Sequence, residues 1–302
     1  MDTTVATTGI EVRRAARDQI LHGPTSGLAA GYLQANLIVL PERFADDFRQ
    51  LCARNPVPCP LLAESAAPGR WDAVVSRVPG LESHRMLSDI DIRRDAPRYL
   101  VLDDGQVVDE SGSLDIMDRW QDDHVAFLIG CSFSFESALL LAGLNVRHVV
   151  MGRNVPMYKT KLPLCPAGIF TGASYVVSMR PFRAEDIDAV RAITRPYAAT
   201  HGEPIAWGWG ALDTLGIENI DSPTWGDAPL TEDGRPLGEL QASGDEIPVF
   251  WGCGVTPIEA VRSAGLSGVV MSHSPGHMIV LDARDEDITQ DLGCANAFTS
   301  RL

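Results

Sequence analysis

The stretch VAFLIGCSFSFESALLLAGL, residues 125–144, is echoed 122 positions later by IPVFWGCGVTPIEAVRSAGL, residues 247–266. At that offset Gly130 meets Gly252, Cys131 meets Cys253 and Ser134 meets Thr256, and Ala142-Gly143-Leu144 meets Ala264-Gly265-Leu266. In the first copy the apolar run Val125–Ile129 has strand length and no alternation, the pattern of a strand covered on both faces. A Gly-Cys turn follows, then Ser134 as a helix cap and Gly143 as the helix end. In the second copy Val249–Trp251 is the strand, Thr256-Pro257-Ile258-Glu259 reads as a capping box with proline in the first turn, and Gly265 closes the helix. Any two strand–helix units share glycine, caps and apolar runs. The common Gly-Cys and Ala-Gly-Leu at one offset go beyond that.

Working outward, residues 1–8 read as disordered and 10–22 as a helix. PERFADDFRQLCARNP spaces Phe44, Phe48, Leu51 and Cys52 as a helix that ends before Pro56. PRYLVLDDGQVVDE is a hairpin around Asp-Asp-Gly, and SLDIMDRWQDD is a short helix. ASYVVSMRPF is a β-branched strand, AEDIDAVRAITRPYAATHG an amphipathic helix and EPIAWGWG a further strand. The stretch from ENIDSP to SGDE is polar and turn-rich. SGVVMSHSPGHMIVLD is a strand, a Pro-Gly loop and a strand. The expected fold class is α/β: a three-layer α/β main domain, residues 1–152 and 228–302, with a smaller inserted α+β two-layer domain, residues 153–227.

The chain of 302 residues can bury a large core, and 45 % hydrophobic with 22 % charged residues is ordinary for a globular protein. No apolar run reaches the ~18–20 residues of a membrane span, and MDTTVATTGIEVRR has no apolar centre of a signal peptide, so the expected compartment is the cytoplasm. A net charge of −15 opposes nucleic acid. An acidic small substrate then needs a local cluster of positive groups, and all but two of the 25 basic residues are arginine, the side chain that grips carboxylates in a fork. The two lysines, Lys159 and Lys161, sit together in RNVPMYKTKLP. Six cysteines form no CxxC pair, so a zinc site is not indicated and the thiols read as free.

A strand–turn–helix unit aims the unpaired amides and positive dipole end of its helix beyond the strand. Two such units in one sheet would offer two positive ends to a small dicarboxylate. Cys131 and Cys253 have three readings: small residues beside a tight turn, a pair that exchanges a proton across a site, or a nucleophile at a helix start. His273 and His277 flank Pro275-Gly276, which forbids the helix that a four-residue metal spacing needs. They read as acid–base groups or substrate contacts, or as turn histidines with internal hydrogen bonds. Arg153, Asn154, Tyr158, Lys159 and Thr160 can all contact a carboxylate or amide.

Seven stretches in order, GPTSGLAAGYLQANL (23–37), RNPVPCPLL (54–62), IGCSFSFE (129–136), RNVPMYKT (153–160), VVSMRP (176–181), VFWGCGVTP (249–257) and SPGHM (274–278), resemble the bacterial hydro-lyases also called the D-glutamate cyclase family. The resemblance runs from about residue 12 to 285. It implies a three-layer domain with a smaller two-layer domain, a hydro-lyase activity and, for one branch, conversion of D-glutamate to 5-oxo-D-proline. The chain departs from the family at Ala206, where a histidine is common, and at Ser272-His273-Ser274, where Thr-His-Ala is usual. On that basis the expected enzyme is a cofactor-free and metal-free cyclising dehydratase of D-glutamate or a related acidic amino acid. His277 or His273 would move the proton, with Cys131 and Cys253 beside them. Backbone amides at Ser132–Ser134 and Val255–Thr256 would hold the oxyanion. Ser132, Ser134, Arg153, Asn154, Tyr158, Thr160 and Thr256 would bind substrate. The alternatives are a two-cysteine racemase or epimerase, and a non-catalytic binding protein for small dicarboxylates. The expected partners are a small acidic substrate, no nucleic acid and no membrane; homo-oligomerisation is open.

Overall fold

The computed structural model of the chain describes residues 6–109 and 111–289. In chain order the elements are α1 (Gly9–Arg17), β1 (Tyr32–Pro41), α2 (Ala45–Arg54), β2 (Leu61–Ser65), β3 (Val74–Ser76), α3 (Ser83–Met86), β4 (Tyr99–Asp103), β5 (Gln106–Val107), β6 (His124–Gly130), α4 (Glu136–Leu141), α5 (Arg147–Val150), β7 (Met157–Pro163), β8 (Ser174–Arg183), α6 (Ile187–Thr194), β9 (Ala206–Trp207), α7 (Ala211–Leu215), β10 (Glu246–Gly252), α8 (Val255–Ala264), β11 (Val269–His273) and β12 (Ile279–Arg284). The protein is a mixed α/β chain with two sheets, both antiparallel. The first runs β3-β2-β6-β1-β11-β4-β5, with β12 also on β1; the second runs β7-β8-β10-β9. Both faces of β1 are buried, Leu33, Ala35, Leu37 and Val39 in one apolar cluster and Ile38 and Leu40 in another. Residues of period two on a strand buried on both sides sort in this way.

The echo is larger than the sequence discloses. A shift of 142 carries β1 onto β8, the short 3₁₀ turn Glu42–Phe44 onto Ala184–Asp186, and the start of α2 onto the start of α6. A shift of 122 carries β6 onto β10. The register agrees, for Ala35 stands opposite Gly130 and Val177 opposite Gly252. The chain is therefore two copies of one β-α-β-elbow-helix unit. The 122-residue shift also matches β7 to β12, and these strands cross over: β7 leaves the first copy to pair with β8, and β12 leaves the second to pair with β1. Each copy thus covers a sheet edge of the other.

Three expectations change. The two elbows stand in different sheets, because Val249–Trp251 pairs with β8 and β9. The three-layer main domain was expected to hold one sheet; two sheets form, and every pairing among the described residues is antiparallel. The second sheet takes strands from residue 157 to residue 252, across the expected boundary at 227. The hairpin forms as read, with Asp104 and Gly105 at φ 45° and 77°, as a two-residue loop requires. SLDIMDRWQDD gives only a 3₁₀ turn, Met117–Arg119. The first helix is capped by Thr8, while residues 1–5 of the segment read as disordered lie outside the described residues.

Candidate functional site

The two elbows meet. Cys131, Phe133, Cys253 and Val255 share one buried cluster with Met157, Val176 and Met278. Each elbow closes through the same bonds. Cys131 N donates to Gln34 O (3.1 Å) and Cys253 N to Val176 O (3.1 Å). Ser134 N donates to Cys131 O (3.1 Å) and Thr256 N to Cys253 O (2.9 Å). The hydroxyls of Ser134 and Thr256 accept from the amides of Gln34 (3.2 Å) and Val176 (2.9 Å). Neither hydroxyl caps its helix; both tie the helix start to the neighbouring strand, so the expected capping box at Thr256 does not form. The two copies also grip each other. A Cβ on Gly130 would lie 2.1 Å from the carbonyl oxygen of Ala199, and one on Gly252 would lie 3.2 Å from that of Val57, the residue 142 positions earlier.

This geometry engages most amides of the expected oxyanion cradle, Ser132 N aside. The amides of Ser134 and Thr256 are spent on cysteine carbonyls, and those of Phe133 and Val255 are directed at the cysteine sulfurs. Burial pushes the Cys131 thiol up, and it pushes that of Cys253 up to about 11, outweighing the amides that favour the thiolate.

Beside the elbows lies a charge cluster. Arg180, fully buried in β8, donates from Nε to Glu136 Oε1 (2.9 Å), from Nη1 to Ser178 Oγ (3.0 Å) and from Nη2 to Ser132 Oγ (3.0 Å). Its guanidinium carbon stands 5.2 Å from the Phe135 ring centre and 5.3 Å from that of Trp251. A cation without water needs such partners, since an unpaired one costs several kcal/mol. His148 Nε2 lies 3.1 Å from Glu136 Oε1, off the line of a hydrogen bond. Burial raises the Glu136 carboxyl, but the His148 and Arg180 charges outweigh it and hold the group below its usual range. Glu136 Oε2 is buried with no hydrogen-bond partner.

Two crevices flank the cluster. One is walled by the Gly27–Tyr32 loop and by Gln34, Phe133 and Glu136; the other by Arg147, His148, Arg153, Asn154 and Asp227. Each holds about 20 Å³ of open space, room for one water. Gln34 is fixed by Thr25, whose hydroxyl donates to its Oε1 (2.8 Å). Thr25 N donates to Gly276 O (2.9 Å), and Asn154 packs on Gly276. Six stretches quoted for the family resemblance therefore border one region: 23–37, 129–136, 153–160, 176–181, 249–257 and 274–278.

The structure sorts the expected residues. Cys131, Cys253, Ser132, Ser134 and Thr256 come together at the elbows. Arg153 donates to Ala228 O (3.1 Å) with its Nε unpartnered, and Asn154 lies beside it with Oδ1 unpartnered. His273 is buried elsewhere, its Nδ1 against the Leu37 backbone, and burial lowers it to about 4. His277 is half-buried in the turn, with Nδ1 3.0 Å from Pro275 O. Tyr158 and Thr160 are not brought in. Strand alternation turns Met157 toward the elbows and Tyr158 to the opposite cluster, where its hydroxyl meets Ile220 O; that of Thr160 donates to Tyr175 O. The sequence reading passed over Glu136, His148 and Arg180. The available signal was an arginine, Arg180, inside the largely apolar stretch VVSMRPF and a glutamate, Glu136, directly after the elbow turn.

A duplicated two-sheet α/β protein with an acid–base cluster at the join of its halves is thus defined. Residues 125–282 match the family described as D-glutamate cyclase. A protein of Rubrobacter xylanophilus named "Putative hydro-lyase" is 47 % identical over 88 % of this chain and 92 % of its own. A Bordetella pertussis protein of the same kind of name is 48 % identical over 92 % and 91 %, and one of Schizosaccharomyces pombe 39 % over 90 % and 83 %. The chain belongs to the D-glutamate cyclase family. Among the described residues no helix is long and apolar enough to cross a membrane.

Proposed function

We propose that the chain is a lyase that converts D-glutamate to 5-oxo-D-proline and water at the Glu136–His148–Arg180 cluster. The observation that carries the reading is Glu136 Oε2, an unpartnered buried carboxylate oxygen between two crevices built from family motifs. His148 and Arg180 keep the group ionised and Arg180 occupies Oε1, which leaves Oε2 to accept the substrate ammonium. Arg153, whose Nε is unsatisfied in the second crevice, takes the α-carboxylate. The amine nitrogen attacks the side-chain carboxyl carbon. One C–N bond forms, one C–O bond breaks, and two protons pass from nitrogen to the departing oxygen. Glu136 and His148 carry them. Because each crevice has room for one water only, substrate enters when the Gly27–Gly31 loop moves off α4.

Incubation with D- and L-glutamate, followed by chiral separation of 5-oxoproline, tests this. Product from the D isomer only is expected. No product from either isomer refutes it, and stabilisation by dicarboxylates without turnover would favour a binding protein.

A further inference from the structure

The repeat places a second crevice opposite the first. The 122-residue shift carries Phe133, Glu136, Ser137 and Leu140 of the first onto Val255, Ile258, Glu259 and Arg262, and these four line a crevice of the same size, about 20 Å³. The charge pair is missing from this copy. Ile258 stands at the position of Glu136 and Ile38 at that of Arg180, both in one apolar cluster. The position is not inert, because His273 lines it too. Its ring is fully buried and Nε2 has no hydrogen-bond partner. Two contacts bear on its tautomer: Leu37 N donates to Nδ1 at 3.1 Å, and Leu37 O lies 3.3 Å from the same atom. Leu37 N carries its hydrogen in either tautomer and would clash with a second one on Nδ1, so Nδ1 is the acceptor and Nε2 carries the hydrogen. The crevice therefore holds a buried N–H donor that lacks an acceptor, an arrangement that favours a ligand able to supply one.

We infer that this crevice binds a small carboxylate bearing a second oxygen a few carbons away. The second oxygen accepts from His273 Nε2 at the narrow inner end. The short carbon body lies on the half-buried Leu100, Trp225 and Pro275 at the rim. The carboxylate meets Arg262, an exposed guanidinium with no ion pair among the described residues. Glu259 does not repel it, since Lys159 neutralises that carboxylate. The inference stands apart from the reading of the first crevice.

The test is calorimetric titration of the full chain with 5-oxo-D-proline, in the wild type and in the Arg262→Gln and Glu136→Gln variants. Arg262 is on the surface, so its variant folds even if a His273 variant does not. Arg262→Gln is expected to raise Kd at least tenfold and to leave D-glutamate turnover intact. Glu136→Gln should change Kd less than twofold. The inference is overturned if Arg262→Gln binds as tightly as the wild type, if Glu136→Gln abolishes binding, or if the wild type takes up no ligand. Absence of D-glutamate turnover in the wild type, with 5-oxo-D-proline still bound, would count against the first crevice and leave this one standing.

Discussion

Replacing Arg180 and Glu136 by the isoleucines found at the matching positions of the other copy separates stability from function. Arg180→Ile alone leaves the Glu136 carboxylate buried with only His148 beside it, and Glu136→Ile alone leaves a buried guanidinium with two serine hydroxyls. Breaking one side of a buried ion pair costs about 3–5 kcal/mol. At about 2–4 °C per kcal/mol for a chain of this size, each single variant should melt roughly 6–20 °C below the wild type. The double variant recreates the Ile38–Ile258 arrangement, with Phe135 and Trp251 as apolar neighbours. Substituting a well-packed apolar pair for a buried ion pair is neutral or stabilising by about 1–4 kcal/mol. Thermal and urea unfolding of the four proteins in a double-mutant cycle should then show a coupling of several kcal/mol, with the double variant near the wild type and inactive on D-glutamate. If the double variant is as unstable as the two singles added together, the equivalence of the two copies fails, and so does the claim that the pair is kept for chemistry.

Four further outcomes are expected. Glu136→Gln and His148→Ala should each lower kcat by about 10²–10⁴-fold with the fold retained by circular dichroism; full turnover in either would remove it from the mechanism. Cys131→Ala and Cys253→Ala should keep activity, and neither native thiol should react with iodoacetamide at neutral pH in the folded chain, since burial holds both above their ordinary range; loss of activity in both would revive thiol chemistry. Gly130→Ala, whose new methyl meets a carbonyl oxygen at 2.1 Å, should destabilise by more than Gly252→Ala at 3.2 Å, as urea midpoints would show. His201 and His273 are each lowered to about 4 by burial. In this window the unfolded chain binds the extra proton, so stability is fully present above about pH 6.5 and falls as pH drops toward 4, by about 1.4 kcal/mol per pH unit for each histidine; a melting temperature that is flat from pH 7 to pH 4.5 would contradict this.

Much of the local structure is legible in residue order. The run Val125–Ile129, the Asp104–Gly105 turn, the α2 spacing and Gly265 as a helix end each act through near neighbours, and each forms as read. The elbow repeat is legible because both copies keep Gly-Cys at one offset. The hydroxyls of Ser134 and Thr256 are misread as caps, since the strands that claim them lie 100 and 80 residues away. Glu136, His148 and Arg180 stay hidden for the same reason: a glutamate after an apolar turn and an arginine before a proline are ordinary alone and become a site only in contact.

What the sequence by itself determined was the pair of elbows, the strand and helix periods around them, the shortage of positive charge and the family. The elbows and periods follow from side-chain size, backbone freedom and hydrophobic spacing within a few residues, the charge from composition, and the family from the likeness of whole stretches to its members. The tertiary structure alone decided that β7 and β12 change places, that the elbows back onto each other from two sheets, and that one copy carries charge where the other carries isoleucine. Such contacts lie beyond any local pattern: Glu136 and Arg180 are 44 positions apart, and β12 pairs with β1 near the other end of the chain. Their energy comes from excluding water around groups brought together by the whole chain, and no local pattern encodes that exclusion.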